Sequence, residues 1–120
     1  MIRGIRGAIT VAQNDAALVL AETTKLLHAI IAANDVDAAD VASVIATTTP
    51  DITAAFPAKA VRTYEGWDYV PVMCMHEMNV EGALPLCIRL MVHVETTVAQ
   101  KDIQHIYLNE AVKLRPDLVK

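Results

Sequence analysis

The sequence predicts an α/β sandwich, a mixed sheet of about five strands with one long helix covering one face. Two observations carry this expectation. Apolar, β-branched runs alternate with period two at Ile2–Val11, Val41–Thr48, the stretch leading to Met75, and Leu86–Val94. A single long segment, from Asn14 or Asp15 to about Ala33, instead repeats its apolar residues at helical spacing. The predicted order is strand, long helix, strand, short helices, then three strands.

The 120 residues fit one domain, 1–120. Hydrophobic residues make up 54% and aromatics only 4%, so the core must be built from Ala, Val, Ile and Leu. A mean hydropathy of +0.36 in so small a chain predicts that some apolar surface is hidden between subunits. The net charge of −4 argues against a general nucleic-acid or anionic-membrane binder, so any anion must be met by local clusters of basic residues. The longest uncharged apolar stretch, Leu26–Ala33, is far too short to span a bilayer. MIRGIRGAIT lacks the apolar segment of a signal peptide. Cys74 and Cys87 without an export signal then fit a reduced, cytoplasmic protein.

In the first strand, Ile5, Ile9 and Val11 share one face, and Arg6, Ala8 and Thr10 the other. Arg6 sits between Gly4 and Gly7, where glycine often marks a close approach of backbone or ligand, though an edge charge facing solvent fits equally. Asn14 or Asp15 can cap the helix, and Asn34-Asp35 ends it. Ala16, Leu20, Thr23, Leu27, Ile30 and Ile31 make its expected apolar stripe, with His28 at the surface. Pro50-Asp51 turns the chain after the second strand, and a short helical piece is expected over Ile52–Phe56. Pro57 suits the first turn of another helix, with Gly66 just past its end. Lys59 and Arg62 share a face of that helix, either as a basic patch or as a solvated surface. The third strand alternates Val72, Cys74 and His76 with Met73 and Met75, and Glu77 follows at its end. Gly82 and Pro85 break the chain before the fourth strand. Gln104–Leu108 is a short fifth strand, and Arg115 precedes Pro116 in an extended tail.

The fourth strand holds the anomaly. Ile88, Leu90, Val92 and Val94 share one face, and Cys87, Arg89, Met91 and His93 the other. Arg89 is a guanidinium within an otherwise apolar run, and an unpaired buried charge costs several kcal/mol or more. Glu77 is one candidate partner. Arg6, Lys59, Arg62 and Arg115 add more cation than nearby carboxylates match, which points to a small di- or polyanionic ligand. Other chemistries fit less well. The spacings among Cys74, His76, Cys87 and His93 match no usual zinc pattern. Cys74 has no evident positioned base, and RGIRG lacks the spacing and lysine of a phosphate loop.

The chain resembles the AroH class of monofunctional chorismate mutases, from Met1 to about Asp117. The resemblance is carried by RGIRGA at the N-terminus, FPAKAVR at Phe56–Arg62, GWDYVPVMCMHEM at Gly66–Met78, CIRLM at Cys87–Met91, HIYL at His105–Leu108 and LRPDL at Leu114–Leu118. It implies a homotrimer with a pseudo-α/β-barrel core and an active site in each cleft between subunits. It also implies rearrangement of chorismate to prephenate without a cofactor or metal. By this resemblance Arg89 meets the ether oxygen and a carboxylate, and Arg6 and Tyr107 hold the side-chain carboxylate. Glu77 and Cys74 contact the ring hydroxyl. Phe56, Lys59 and Arg62 enter from the neighbouring subunit, Val72 and Leu114 form apolar walls, and Arg115 closes the mouth. Two departures stand out: Met73 occupies a position where the family often has a small hydroxyl residue, and only Val119 and Lys120 follow LRPDL. Two rival readings are an imine or enamine deaminase of similar trimeric fold and a silent binding module for carboxylate metabolites.

Overall fold

The structure is a computed structural model and describes residues 1–114. Its elements are β1 (Ile2–Thr10), α1 (Ala16–Asn34), β2 (Val41–Thr48), α2 (Ala58–Arg62), β3 (Val72–His76), β4 (Cys87–Glu95) and β5 (Ile106–Leu108). The five strands form one mixed sheet in the order β3-β2-β4-β1-β5. β4 runs antiparallel to both of its neighbours, while β2–β3 and β1–β5 are parallel. The predicted mixed sheet with one long helix is what forms.

Register decides which side chains meet the helix. Ile5, Gly7 and Ile9 of β1 lie opposite Val92, Leu90 and Ile88 of β4, and Val44 and Ala46 of β2 oppose Val92 and Leu90 from the other side. Together they make the floor on which α1 packs, and Val19, Leu26, Leu27 and Ile30 of α1 are fully buried there. By length and composition α1 could cross a bilayer, but its apolar face is spent on this sheet. Asp15 caps it by accepting the Leu18 N–H at 3.1 Å. Asp35 ends it in the left-handed region at φ 52°, with its N–H turned back to the Ile31 carbonyl.

Two expectations need correction. The buried stripe of α1 is Val19, Thr23, Leu26, Leu27 and Ile30; Ala16 is exposed, and Leu20 and Ile31 lie at the margin. Thr23, Leu27 and Ile30 keep their expected places, but the helix is rich in alanine with few charges, so periodicity alone fixes its rotation only loosely. Gly7 settles that rotation, because a Cβ there would stand 2.7 Å from Ile30 Cδ1 and 3.1 Å from Leu26 Cδ1. Over Ile52–Phe56 no helix forms. The segment is instead a connection pinned by Asn14, whose Oδ1 accepts the N–H groups of both Thr53 and Ala54 at 3.0 Å. Ile52 is buried in the main core all the same. α2 starts after Pro57 as predicted but stops at Arg62, and Gly66 (φ 84°) serves the following turn into buried Trp67.

The opposite face of the sheet carries Arg6, Ala8 and Thr10 from β1, Arg89 and Met91 from β4, and Ile45 and Thr47 from β2. The turn Asn109–Lys113 covers a corner of it, placing Ala111 against Ala8, Cys87 and Tyr107, and Leu84 and Leu114 pack on the same cluster. This is the face on which the unusual residues sit.

The tight seat over Gly7 gives a stability test. Gly7→Val should lower the free energy of unfolding by about 1–3 kcal/mol through overpacking. Gly4→Ala should cost less, since its Cβ would meet only the flexible Met91 Sδ at 3.1 Å. Urea midpoints of the two variants measure the difference.

Candidate active site

One row of residues crosses the whole sheet on the open face. Met75 of β3 lies opposite Thr47 of β2, Thr47 opposite Arg89 of β4, Arg89 opposite Ala8 of β1, and Ala8 opposite Tyr107 of β5. Arg89 is at its centre, flanked by the small side chains of Ala8 and Thr47. The next row places Arg6 opposite Met91, and Met91 opposite Ile45. Arg6 and Arg89 are therefore diagonal neighbours on one face. The backbone N–H of Arg6 donates to His105 Nδ1 at 3.0 Å, which ties the middle of β1 to the residue just before β5.

Glu77 closes the row. Its N–H donates to the Thr48 carbonyl at 2.8 Å, just past the end of β3, and its Oε1 lies 3.1 Å from Arg89 Nε. This is an ion pair by distance, but the Nε–H is not aimed at the carboxylate. Arg89 Nε, Glu77 Oε2 and Arg6 Nε are all buried without a hydrogen-bond partner. An unsatisfied buried polar atom costs about 1–3 kcal/mol, more where charge is involved. The Arg89 side chain is nonetheless 39% exposed, so it is open to a ligand. The expectation of a guanidinium sealed in an apolar wall is thus modified: Arg89 is half-buried and already partly balanced by Glu77. Tyr107 is buried beside Ala8 and Cys87, with Leu114 packed against the same cluster.

The remaining predicted residues fall elsewhere. Cys74 pairs with Ala46 and Val72 with Val44, which puts both on the helix side of the sheet, away from Arg89. Cys74 Sγ accepts the Ala58 N–H at 3.2 Å, and its thiol feels the charge of Arg62. Grouping Cys74 with Glu77 is therefore corrected within one chain: Cys74 belongs with α2, because parity on the β3 strand turns it there. Phe56 precedes α2 and is 75% exposed, and Lys59 and Arg62 are exposed on α2. Met73 faces the Arg89 side opposite Ile45 and is exposed. Arg115 lies outside the described residues. A single chain thus holds two separate sets, Arg6, Glu77, Arg89 and Tyr107 on one side of the sheet, and Phe56, Lys59, Arg62, Val72 and Cys74 on the other.

The thiols are poor nucleophiles here. Burial pushes Cys87 up to about 11 despite the opposing pull of Arg89, and burial also raises Cys74 against the Ala58 N–H and Arg62. Cys74 and His76 lie on one face, Cys87 and His93 on the other. Sequence reasoning missed Thr47 and Ala8 as the flanks of Arg89. Alternation along β1 and β2 was the available signal, but only the pairing register shows that they meet Arg89.

An open sheet face on which two diagonal arginines and a carboxylate each keep an unsatisfied buried atom, beside a buried tyrosine, is a site suited to a small polyanion. The chain belongs to the family described as chorismate mutase type I, whose profile matches residues 2–118. It is 52% identical over 118 residues to the chorismate mutase AroH of Bacillus subtilis (strain 168), covering 98% of this chain and 93% of that protein. It is 43% identical over 119 residues to the chorismate mutase AroH of Thermus thermophilus, covering 98% and 97%. Among solved structures, the chorismate mutase from Clostridium thermocellum superposes with a TM-score of 0.87 at 48% identity, over 90% of this chain and 96% of that one.

Cys87 yields a pH test. Its thiol ionises near 9.0 when unfolded and near 11 when folded, so folding favours the protonated form. That contribution is complete below pH 9 and is lost as the pH rises towards 11, because the unfolded chain releases its proton first. The urea midpoint should fall across this window by more in the parent than in Cys87→Ala, with a difference of up to about 2 kcal/mol.

Proposed function

We propose that this protein converts chorismate to prephenate at sites shared between subunits of a homotrimer, in the cytoplasm. The observation that carries the reading is the Arg89–Glu77 pair: a guanidinium and a carboxylate are in contact, yet each retains an unsatisfied buried atom. Chorismate is a dicarboxylate with a ring hydroxyl and an enolpyruvyl ether, and each of its polar groups has a complement in the two residue sets.

The reaction is a [3,3] shift in which the ether carbon–oxygen bond breaks while a carbon–carbon bond forms. It needs no proton transfer, which fits a site with no activated thiol. It needs the flexible enolpyruvyl arm held over the ring, and fixing two reacting ends in place can remove several kcal/mol of barrier. As the ether bond opens, negative charge gathers on its oxygen. Arg89, mounted on the central strand, meets that charge more strongly in the transition state than in the substrate. Glu77 faces the ring, where it accepts from the hydroxyl and favours the positive character that develops there. Arg6 and Tyr107 take the side-chain carboxylate.

The division of residues supports a shared site. Phe56, Lys59, Arg62, Val72 and Cys74 cannot reach Arg89 through their own sheet, but the same set on a neighbouring copy can approach an uncovered face. That face and its rim also expose Met73, Met75 and Met78, more apolar surface than a lone small domain usually leaves open. Three copies closing these faces against one another form the pseudo-α/β barrel. Cys74 then enters the cleft with Phe56, from the neighbour's side. Leu114 lines the wall next to Tyr107. Two thiols left free suit a reducing compartment.

Loss of the ultraviolet absorbance of chorismate on mixing with purified protein tests the activity. A deaminase would leave chorismate intact, and a binding module would bind it without turnover. Arg89→Lys keeps the charge but loses the planar two-point donor. It should lower turnover by about 10²-fold or more, as losing one oxyanion donor does. Mixing inactive Arg89→Ala with inactive Arg62→Ala should restore part of the activity, since some clefts would then draw both intact sets; no recovery counts against shared sites.

A further inference from the structure

Glu77 and Arg89 stand just outside the two ends of one loop, residues 78–86, and both ends are fastened to the same short turn. β2 ends at Thr48, and the chain then turns through Thr49, Pro50 and Asp51. The Thr48 carbonyl accepts the Glu77 N–H at 2.8 Å. Thr49 and Cys87 exchange two bonds: the Thr49 N–H donates to the Cys87 carbonyl at 3.0 Å, and the Cys87 N–H donates to Thr49 Oγ1 at 3.0 Å. The Thr49 hydroxyl in turn donates to Asp51 Oδ1 at 2.5 Å, and Asp51 Oδ2 accepts the Leu86 N–H at 2.9 Å. Residues 48–51 therefore hold the backbone on both sides of the loop.

The residue they hold is strained. Leu86 has φ 52°, a region that branched side chains rarely enter. The other described non-glycine residues at positive φ are Asp35, which ends α1, and Asn109, a residue type that tolerates the left-handed region. Leu86 has neither reason. Its conformation persists because Asp51 takes its N–H, its carbonyl accepts the Val11 N–H at 2.9 Å, and its side chain packs on the main core. It lies three residues before Arg89, where the strand takes its direction. Asp51 itself is exposed, so its carboxylate fills no core volume.

We propose that Thr49 and Asp51 are positioning residues that set where Arg89 stands relative to Glu77. Fixing Leu86 and Cys87 fixes the start of β4, and the Cα of Arg89 is two residues further along the same extended strand. Glu77 hangs from the adjoining carbonyl, so one turn defines both members of the pair. The effect on turnover rests on the reading of Arg89 as the group facing the breaking bond, while the geometric claim does not.

Three variants test this: Thr49→Val, which removes the hydroxyl at nearly constant shape; Asp51→Asn, which leaves only one of the two acceptors; and Thr49→Ser, which keeps the hydroxyl. The position of Arg89 is read without any activity, from the NMR signal of its Nε–H. That signal should shift in Thr49→Val and Asp51→Asn and keep its parental position in Thr49→Ser. Turnover of chorismate should fall in the first two by about tenfold to 10²-fold with KM little changed, and recover in Thr49→Ser. If chorismate is not turned over by the parent but the Nε–H signals behave as stated, the positioning role stands and the proposed activity falls. If the parent is active and all three variants match it in kcat and in the Arg89 signal, the positioning role is overturned alone. It is also overturned if Thr49→Ser behaves like Thr49→Val, or if Thr49→Val fails to fold, since the turn would then serve the fold as a whole. Should only Asp51→Asn fail to fold, the Thr49 pair decides.

Discussion

The structure turns on a charge that its own chain neutralises only in part. Arg89 projects from the middle strand of the sheet, and Glu77 balances it by proximity without accepting a hydrogen bond from its Nε–H. Had the pair been fully satisfied it would be an ordinary structural ion pair, with little reason to release either partner to a ligand. Had Arg89 stood alone, burial of its Nε would have weighed against folding. The observed compromise keeps the chain stable while leaving hydrogen-bonding capacity on both groups. Everything around it serves that state: Ala8 and Thr47 are small, α1 packs on the other face, and among the described residues no helix closes over the row.

Most of this was legible in the sequence where both neighbours of a strand constrain it. In β1 and β4, one face must be apolar to meet α1, so alternation alone assigned Arg6 and Arg89 to the other face, and the register agrees. The edge strand β3 resisted the same logic. Its residues alternate without a strong apolar contrast, and only the pairing of Cys74 with Ala46 shows that the thiol faces α2. Likewise nothing local announced that Asn14 would take the donors of Thr53 and Ala54, a contact across roughly forty positions. The rotation of α1 was only partly legible: Thr23, Leu27 and Ile30 of the expected stripe are buried, but the many alanines beside it blur the phase, and the missing side chain at Gly7 fixes it.

The two residue sets differ in what supports them. Arg89 and Arg6 rise from strands bonded on both sides, whereas Phe56, Lys59 and Arg62 ride on a five-residue helix and the segment before it. In the proposed assembly, each cleft would therefore join a stiff wall from one copy to a more yielding wall from the next. Substrate would be oriented by the first and enclosed by the second.

The central placement of β4 has a further consequence. Its amides are bonded to β1 along one edge and to β2 along the other, so they can exchange with solvent only when the sheet itself opens. Local fluctuations that loosen an edge strand or a loop leave the base of Arg89 undisturbed. Heat should therefore blur the rim of the cleft well before it moves the group at the centre.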